Sequence, residues 1–218
     1  MFKKRKYTIV FLGTDGSGKS TMINIITPLI EKRYGIKVRY EHLRPNYLPS
    51  IAVALGRRTK EEEKYTSVVG DPHNVKTSGL MGSLFRLFYY LTDYSIGYLI
   101  KVAFSNNTVW LFDRYYFDFM LDPRRFRINM PMGILKFCEV FVPKADLIIS
   151  LGSSPNIIFN RKPETSLEEV TRQTAYLRQL VEKKKNAVWV DTGGSVDESV
   201  DNILAQIDRV LRRKDVVQ

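Results

Sequence analysis

Gly13-Thr14-Asp15-Gly16-Ser17-Gly18-Lys19-Ser20 carry the residue types and spacing for phosphate chemistry. They fit G-x-x-x-x-G-K-[ST], the phosphate-binding P-loop. Its glycines let the backbone turn tightly and aim successive N–H groups into one concave nest. The helix that starts where the loop ends adds its positive N-terminal dipole. Lys19 supplies a mobile charge for β- and γ-phosphates, and the Ser20 hydroxyl can ligate Mg²⁺. The alternative is a plain Gly-rich surface turn. The flanks favour the motif: Tyr7 to Leu12 is a short apolar, β-branched run, and Met22, Ile23, Ile25, Ile26, Leu29 and Ile30 follow at helical spacing.

A second pair stands at Asp113-Arg114, after the apolar run Thr108 to Phe112. A carboxylate ending a buried strand, as a Walker-B acid does, can hold Mg²⁺ opposite Ser20. Arg114 beside it can stabilise a transferring phosphoryl group. A strand-end cap for Asp113 and a structural salt bridge for Arg114 are the plainer alternatives. His42 and His73 are the only histidines and no Cys/His cluster exists, so a transition-metal site is not expected.

These residues need a scaffold. Strands are expected at Tyr7 to Leu12, Ile36 to Leu43, Thr108 to Phe112, Ala145 to Leu151 and Ala187 to Asp191, with helices between them. Helices are expected over Pro49 to Leu55 and Met130 to Val142, from Ser154-Pro155 to Lys162, and from two capping boxes, Ser166 to Glu169 and Ser195 to Glu198. Leu80 to Phe104 is apolar and aromatic but carries Arg86, Asp93 and Lys101, which suits a long buried helix better than a membrane span. Residues 57–79 read as a long polar acceptor-side insertion. Strands alternating with helices imply α/β architecture: a three-layer, five-stranded parallel sheet with helices on both faces, in one domain over 1–218. Ligands then belong at the carboxyl edge of that sheet.

The chain has 218 residues, a formal charge of +11 and one cysteine, Cys138. The lone cysteine points to a reducing compartment, and no apolar signal segment precedes the first strand, so a cytoplasmic protein without a transmembrane span is expected. A cationic chain attracts anions, in keeping with a phosphate-bearing small-molecule substrate. Nucleic acid is a less favoured partner, and contact with an anionic membrane surface stays open.

The chain resembles the thymidylate kinase family of P-loop nucleoside monophosphate kinases over nearly its whole length. The resemblance rests on the P-loop with Asp15 at its third position, Asp113-Arg114-Tyr115 at a strand end, Lys144 to Leu151 followed by Ser154-Pro155, and the turn after Asp191. It implies ATP and Mg²⁺ as cofactors, and nucleotide contacts from Gly13, Asp15, Gly16, Ser17, Gly18, Lys19, Ser20, Thr21 and Asp191. It implies catalytic roles for Lys19, Asp15, Arg114 and Arg161, the last in a lid over about 160–172 that also holds Arg172, with Arg178 nearby. Asp15 would face the acceptor hydroxyl. Ser20 and Asp113 would hold the metal. Arg44, Phe88, Thr92 and Tyr115 fall on acceptor-binding positions, and the resemblance admits a homodimer.

Departures lie on the acceptor side. The family's thymine-reading arginine falls on Thr92, its R-E-P motif is reduced to Arg44-Pro45, and its Ser and Gln after D-R-[YH] fall on Asp118 and Pro123. Asp71-Pro72-His73, Phe88-Tyr89-Tyr90 and Asp122-Pro123-Arg124-Arg125 look more like divergent members associated with cell-surface polysaccharide loci. The expected function is therefore ATP-dependent phosphoryl transfer to a nucleoside monophosphate or related acceptor. A sugar or lipid-linked acceptor, or a slowly hydrolysing nucleotide switch, are the alternatives. No N-K-x-D guanine-reading motif supports the switch.

Overall fold

A computed structural model describes residues 6–45, 47–54, 56 and 79–216. Of the acceptor-side insertion expected over 57–79, residues 57–78 lie outside the described residues, His73 among them. The chain forms two compact units. The first comprises Met1–Leu43, Ser105–Phe117 and Lys144–Gln218; the second comprises Arg44–Phe104 and Asp118–Pro143.

The first unit contains five parallel strands: β1 (Lys6–Leu12), β2 (Lys37–His42), β3 (Thr108–Asp113), β4 (Leu147–Gly152) and β5 (Ala187–Asp191), in the order β2-β3-β1-β4-β5. The inner strands β1, β3 and β4 are buried along nearly their whole length, which explains their unbroken apolar runs. β2 lies at an edge and is mostly exposed, hence its alternating Lys37, Arg39 and Glu41.

Helix α1 (Lys19–Tyr34) follows the P-loop and ends at Gly35, whose φ of 60° is the left-handed conformation that glycine adopts without strain. Its Met22, Ile23, Ile26 and Ile30 pack on Ile9, Phe11, Val109, Leu111 and Ile149. Val200, Ile203, Ile207 and Leu211 of the C-terminal helix, Val196–Val216, complete that core layer. The C-terminal helix opens with a reciprocal capping box: the Glu198 amide donates to Ser195 Oγ and the Ser195 amide to Glu198 Oε2.

Among the described residues the other helices, in chain order, are α2 (Ile51–Ala54), α3 (Leu80–Thr92), α4 (Asp118–Leu121), α5 (Met132–Cys138), α6 (Pro155–Arg161) and α7 (Leu167–Lys183), so the C-terminal helix is α8. α7 is capped by Ser166, which accepts from the Glu169 amide. α5 is shorter than the expected helix over Met130 to Val142. Pro131 sets its start and a 3₁₀ turn, Glu139–Phe141, ends it.

In the second unit, α3 continues as a π-helix from Asp93 to Ala103. The expected long helix is present, but it is only partly buried. Met81, Phe88 and Phe104 are 78%, 72% and 79% exposed, while Ser83 and the charged Asp93 are fully buried. Apolar residues surround the helix on all sides, and one of its faces packs on Pro45, Tyr47 and Pro49. That face carries Gly97, where a Cβ would meet Pro45 Cβ and Tyr47 Cβ, each at 2.9 Å. It also carries Lys101, whose Nζ donates to Pro45 O, and Tyr89, whose hydroxyl donates to Pro49 O. Among the described residues no helix is long and apolar enough to cross a membrane.

The tight approach at Gly97 makes a stability prediction. Gly97→Val should lose about 1–3 kcal/mol through overpacking. Gly133→Ala, in open space on α5, should be neutral or gain up to about 0.5–1 kcal/mol. Urea unfolding compares the two; equal midpoints would contradict the packing of Pro45 and Tyr47 on the π-helix.

Candidate active site

The strand order places β1 between β3 and β4, so the carboxyl end of β1 is the switch point of the sheet. Register sets what surrounds it: Phe11 pairs with Asp113 on one side and Leu12 with Ser150 on the other. The P-loop leaves β1 there. A Cβ at Gly13 would stand 2.6 Å from Leu151 O, and one at Gly16, where φ is 85°, 2.8 Å from Ile158 O. The loop thus lies against the end of β4 and against α6. Gly18 has open space around it but a φ of 86°, so backbone conformation selects that glycine.

Lys19 is buried, its Nζ donating to Gly13 O at 2.6 Å and Thr14 O at 2.9 Å. The ammonium therefore sits inside the curve of the loop. Ser20 and Thr21 lie in the exposed first turn of α1. The Ser17 and Thr14 hydroxyls are buried and make no hydrogen bond.

Arg114 and Asp15 meet directly. Arg114 Nη2 donates to Asp15 Oδ1 at 2.5 Å, and the arginine is 5% exposed. Arg114 holds a φ of 75°, a conformation that costs a non-glycine residue about 1–3 kcal/mol and recurs at functional sites. In that conformation its amide donates to Phe11 O at 2.9 Å, fastening the end of β3 to β1.

Asp113 is also buried. Its Oδ2 accepts from the Tyr40 hydroxyl at 3.1 Å, and His42 Nδ1 stands 3.8 Å from the same oxygen, beyond hydrogen-bond range. Its Oδ1 is buried with no hydrogen-bond partner. Burial pushes the Asp113 pKa up, but the proximity of His42, Lys19 and Arg114 outweighs burial and holds it below the usual carboxylate value. The group is thus an anion with one bare oxygen, which fits a hard divalent cation or its water. Burial and the carboxylate together push the Tyr40 phenol up to about 12, so it remains a donor. Tyr40 and His42 were not singled out from the sequence as site residues. Strand alternation puts both on one face of β2, but the register that sets them against Asp113 is tertiary.

Arg161 ends α6 and donates from Nη2 to Thr192 O at 2.8 Å, tying the expected lid to the turn after β5. In that turn Asp191 Oδ1 accepts from the Gly193 amide at 2.7 Å. Arg172 pairs with Glu169 on its own helix, and the Arg178 guanidinium stacks 4.1 Å from the Trp189 ring centroid. Tyr115 is buried in an edge-to-face contact with Phe112.

The other acceptor candidates belong to the second unit. Arg44 is buried and donates to Asp93 Oδ2 at 2.7 Å and to Leu48 O and Pro49 O. Asp93 Oδ1 accepts from the Leu48 amide at 2.6 Å. Phe88 is largely exposed, and the Thr92 hydroxyl donates to Phe88 O one turn back. Among the described residues no group of three or more His, Cys, Asp and Glu forms a metal cluster.

This sheet order with a P-loop after β1 defines a P-loop α/β fold. Among solved structures, the chain is similar to thymidylate kinase from Ehrlichia chaffeensis, at 12% identity and a TM-score of 0.57 over 94% of this chain and 98% of that one. It is also similar to thymidylate kinase from Candida albicans, at 15% identity and a TM-score of 0.59 over 95% and 93%. No protein-family model and no curated protein matches its sequence. The fold is thymidylate-kinase-like.

The depressed pKa of Asp113 has a pH consequence. The native state favours the carboxylate more than the unfolded chain does. Its stabilising contribution is therefore complete above the ordinary value of 3.8 and is lost as pH falls through the lower native value. In metal-free buffer, the difference in urea midpoint between the wild type and Asp113→Asn should narrow between pH 6 and pH 3. A constant difference would show that Asp113 titrates as in the unfolded chain.

Proposed function

We propose that the protein is a Mg²⁺- and ATP-dependent phosphotransferase acting in the cytoplasm on a small-molecule acceptor. One observation carries the reading: the buried Asp113 carboxylate at the P-loop edge keeps one oxygen without a partner, beside Lys19 and Arg114. Ser20 and Asp113 are the residues that would hold Mg²⁺. A bound Mg²⁺ supplies charge neutralisation on the phosphates and orients them.

The remaining work falls to the protein's own groups. Loop amides and the α1 N-terminus bind phosphate oxygens. Lys19 and Arg114 stabilise charge on the transferred group, and the Asp15 contact fixes the Arg114 guanidinium in place beforehand. Asp15 also lies on the position that resembles the acceptor-facing acid of thymidylate kinases. Arg161, held at Thr192, and Asp191 would border the adenine side.

For the acceptor, a nucleoside monophosphate is the leading class. A sugar or lipid-linked acceptor is a second reading, favoured by the engagement of Arg44 with Asp93 and of Thr92 with its own helix. A site that reads thymine needs side-chain hydrogen bonds, and their loss costs about 10⁴-fold in discrimination.

Two measurements test this reading. Lys19→Ala should lower phosphoryl transfer by about a hundredfold or more with the fold retained; near-wild-type turnover would show that the loop is not catalytic. In an ATP-consumption screen of nucleoside monophosphates, sugars and sugar phosphates, thymidylate should give a kcat/KM at least about a hundredfold below the common range of 10⁴–10⁸ M⁻¹s⁻¹. Thymidylate turnover within that range, preferred over other acceptors, would restore a plain thymidylate kinase.

A further inference from the structure

We infer that Tyr40 and His42 are positioning residues for Asp113: the Tyr40 hydroxyl holds Oδ2 and the His42 ring stands against it, so that Oδ1 is presented to a divalent cation or one of its waters. The inference rests on the phosphotransferase reading and assigns two β2 side chains to its metal site.

The geometry divides the two oxygens of one carboxylate. Oδ2 takes the Tyr40 hydroxyl at 3.1 Å and lies 3.8 Å from His42 Nδ1. Oδ1 is buried and has no partner. A carboxylate turns easily about its last torsion, so a donor on one oxygen also sets the direction of the other. The backbone is pinned as well. His42 pairs with Asp113 in the β2–β3 register, and the Leu43 amide donates to Asp113 O at 2.7 Å with Leu43 at a φ of 67°.

Core packing does not explain these side chains. Tyr40 is 51% exposed and the His42 side chain 59% exposed, on an edge strand whose polar groups can reach water. Strand alternation puts both on the face that carries Asp113, while Glu41 points to the other. A pairing meant only to stabilise a buried carboxylate would satisfy both oxygens. This one satisfies a single oxygen and leaves the second bare. Outer partners of this kind orient metal-binding carboxylates, and their loss commonly weakens the metal 10- to 100-fold, about tenfold at the lower end.

Mn²⁺ serves as the probe, titrated by electron paramagnetic resonance into the full chain saturated with a non-hydrolysable ATP analogue. Tyr40→Phe keeps the ring and removes the hydroxyl; His42→Asn removes the imidazole. Each should weaken Mn²⁺ about tenfold, while analogue affinity in EDTA stays at the wild-type value and the chain remains folded by circular dichroism. In turnover assays the Mg²⁺ concentration for half-maximal rate should rise and kcat should recover at saturating Mg²⁺. Asp113→Asn separates the two levels of argument. If Asp113→Asn weakens Mn²⁺ but Tyr40→Phe and His42→Asn do not, the positioning role is overturned and the metal site stands. If Asp113→Asn itself leaves Mn²⁺ affinity unchanged, the metal site and the reading built on it both fail. A loss confined to His42→Asn would make the imidazole a ligand and would also overturn the inference.

Discussion

Pairing of β3 with β1 is the constraint on which the site depends. It places Asp113 beside Phe11 and leaves Arg114 as the first residue past the sheet, at the point where the P-loop departs from β1. The Arg114 amide closes the ladder onto Phe11 O, and from a φ of 75° its side chain reaches Asp15. A one-residue slip would turn Asp113 to the opposite face of the sheet and remove Arg114 from the loop. Val109 and Leu111 pack with Ile9 and Phe11 in one core layer, so hydrophobic packing holds the charges in place.

Those charges are costly to bury singly and tolerable together. Lys19, Asp113 and Arg114 are each less than a tenth exposed. Lys19 is satisfied by loop carbonyls, Arg114 by Asp15, and Asp113 on one oxygen by Tyr40. Unmatched around this loop are one Asp113 oxygen and the Ser17 and Thr14 hydroxyls, among other such atoms in the chain. Buried polar groups are normally hydrogen-bonded, and exceptions call for an explanation. Their placement on and beside a phosphate-binding loop suits a protein whose remaining partners arrive with its substrate.

The second unit uses its buried charge differently. Arg44 and Asp93 form an enclosed pair that also binds the Leu48 amide and the Leu48 and Pro49 carbonyls. Breaking such a pair is destabilising because it strands a charge in the interior. Arg44 therefore has structural work wherever else it acts, and Tyr90 packs under its guanidinium at 5.7 Å. The aliphatic and aromatic residues around it, from Met81 to Phe104, are distributed all round their helix, and many stay exposed.

Local sequence determined the elements that local forces decide. The P-loop was legible because glycine conformations and the Lys-Ser pair are written in consecutive residues. The inner strands were legible because burial on both faces leaves an unbroken apolar run, and α7 and α8 because their capping residues act within one turn. Asp113 and Arg114 were legible as candidates because the apolar run ends at them. The burial of Asp93, the exposure of Phe88 and the π-helix were not, since apolar composition does not say which side of a helix finds a neighbour. The contacts of Tyr40 and His42 with Asp113, Arg114 with Asp15 and Arg161 with Thr192 were decided by tertiary structure alone. Each joins residues far apart in the chain, and strand register and packing, not spacing, bring them together.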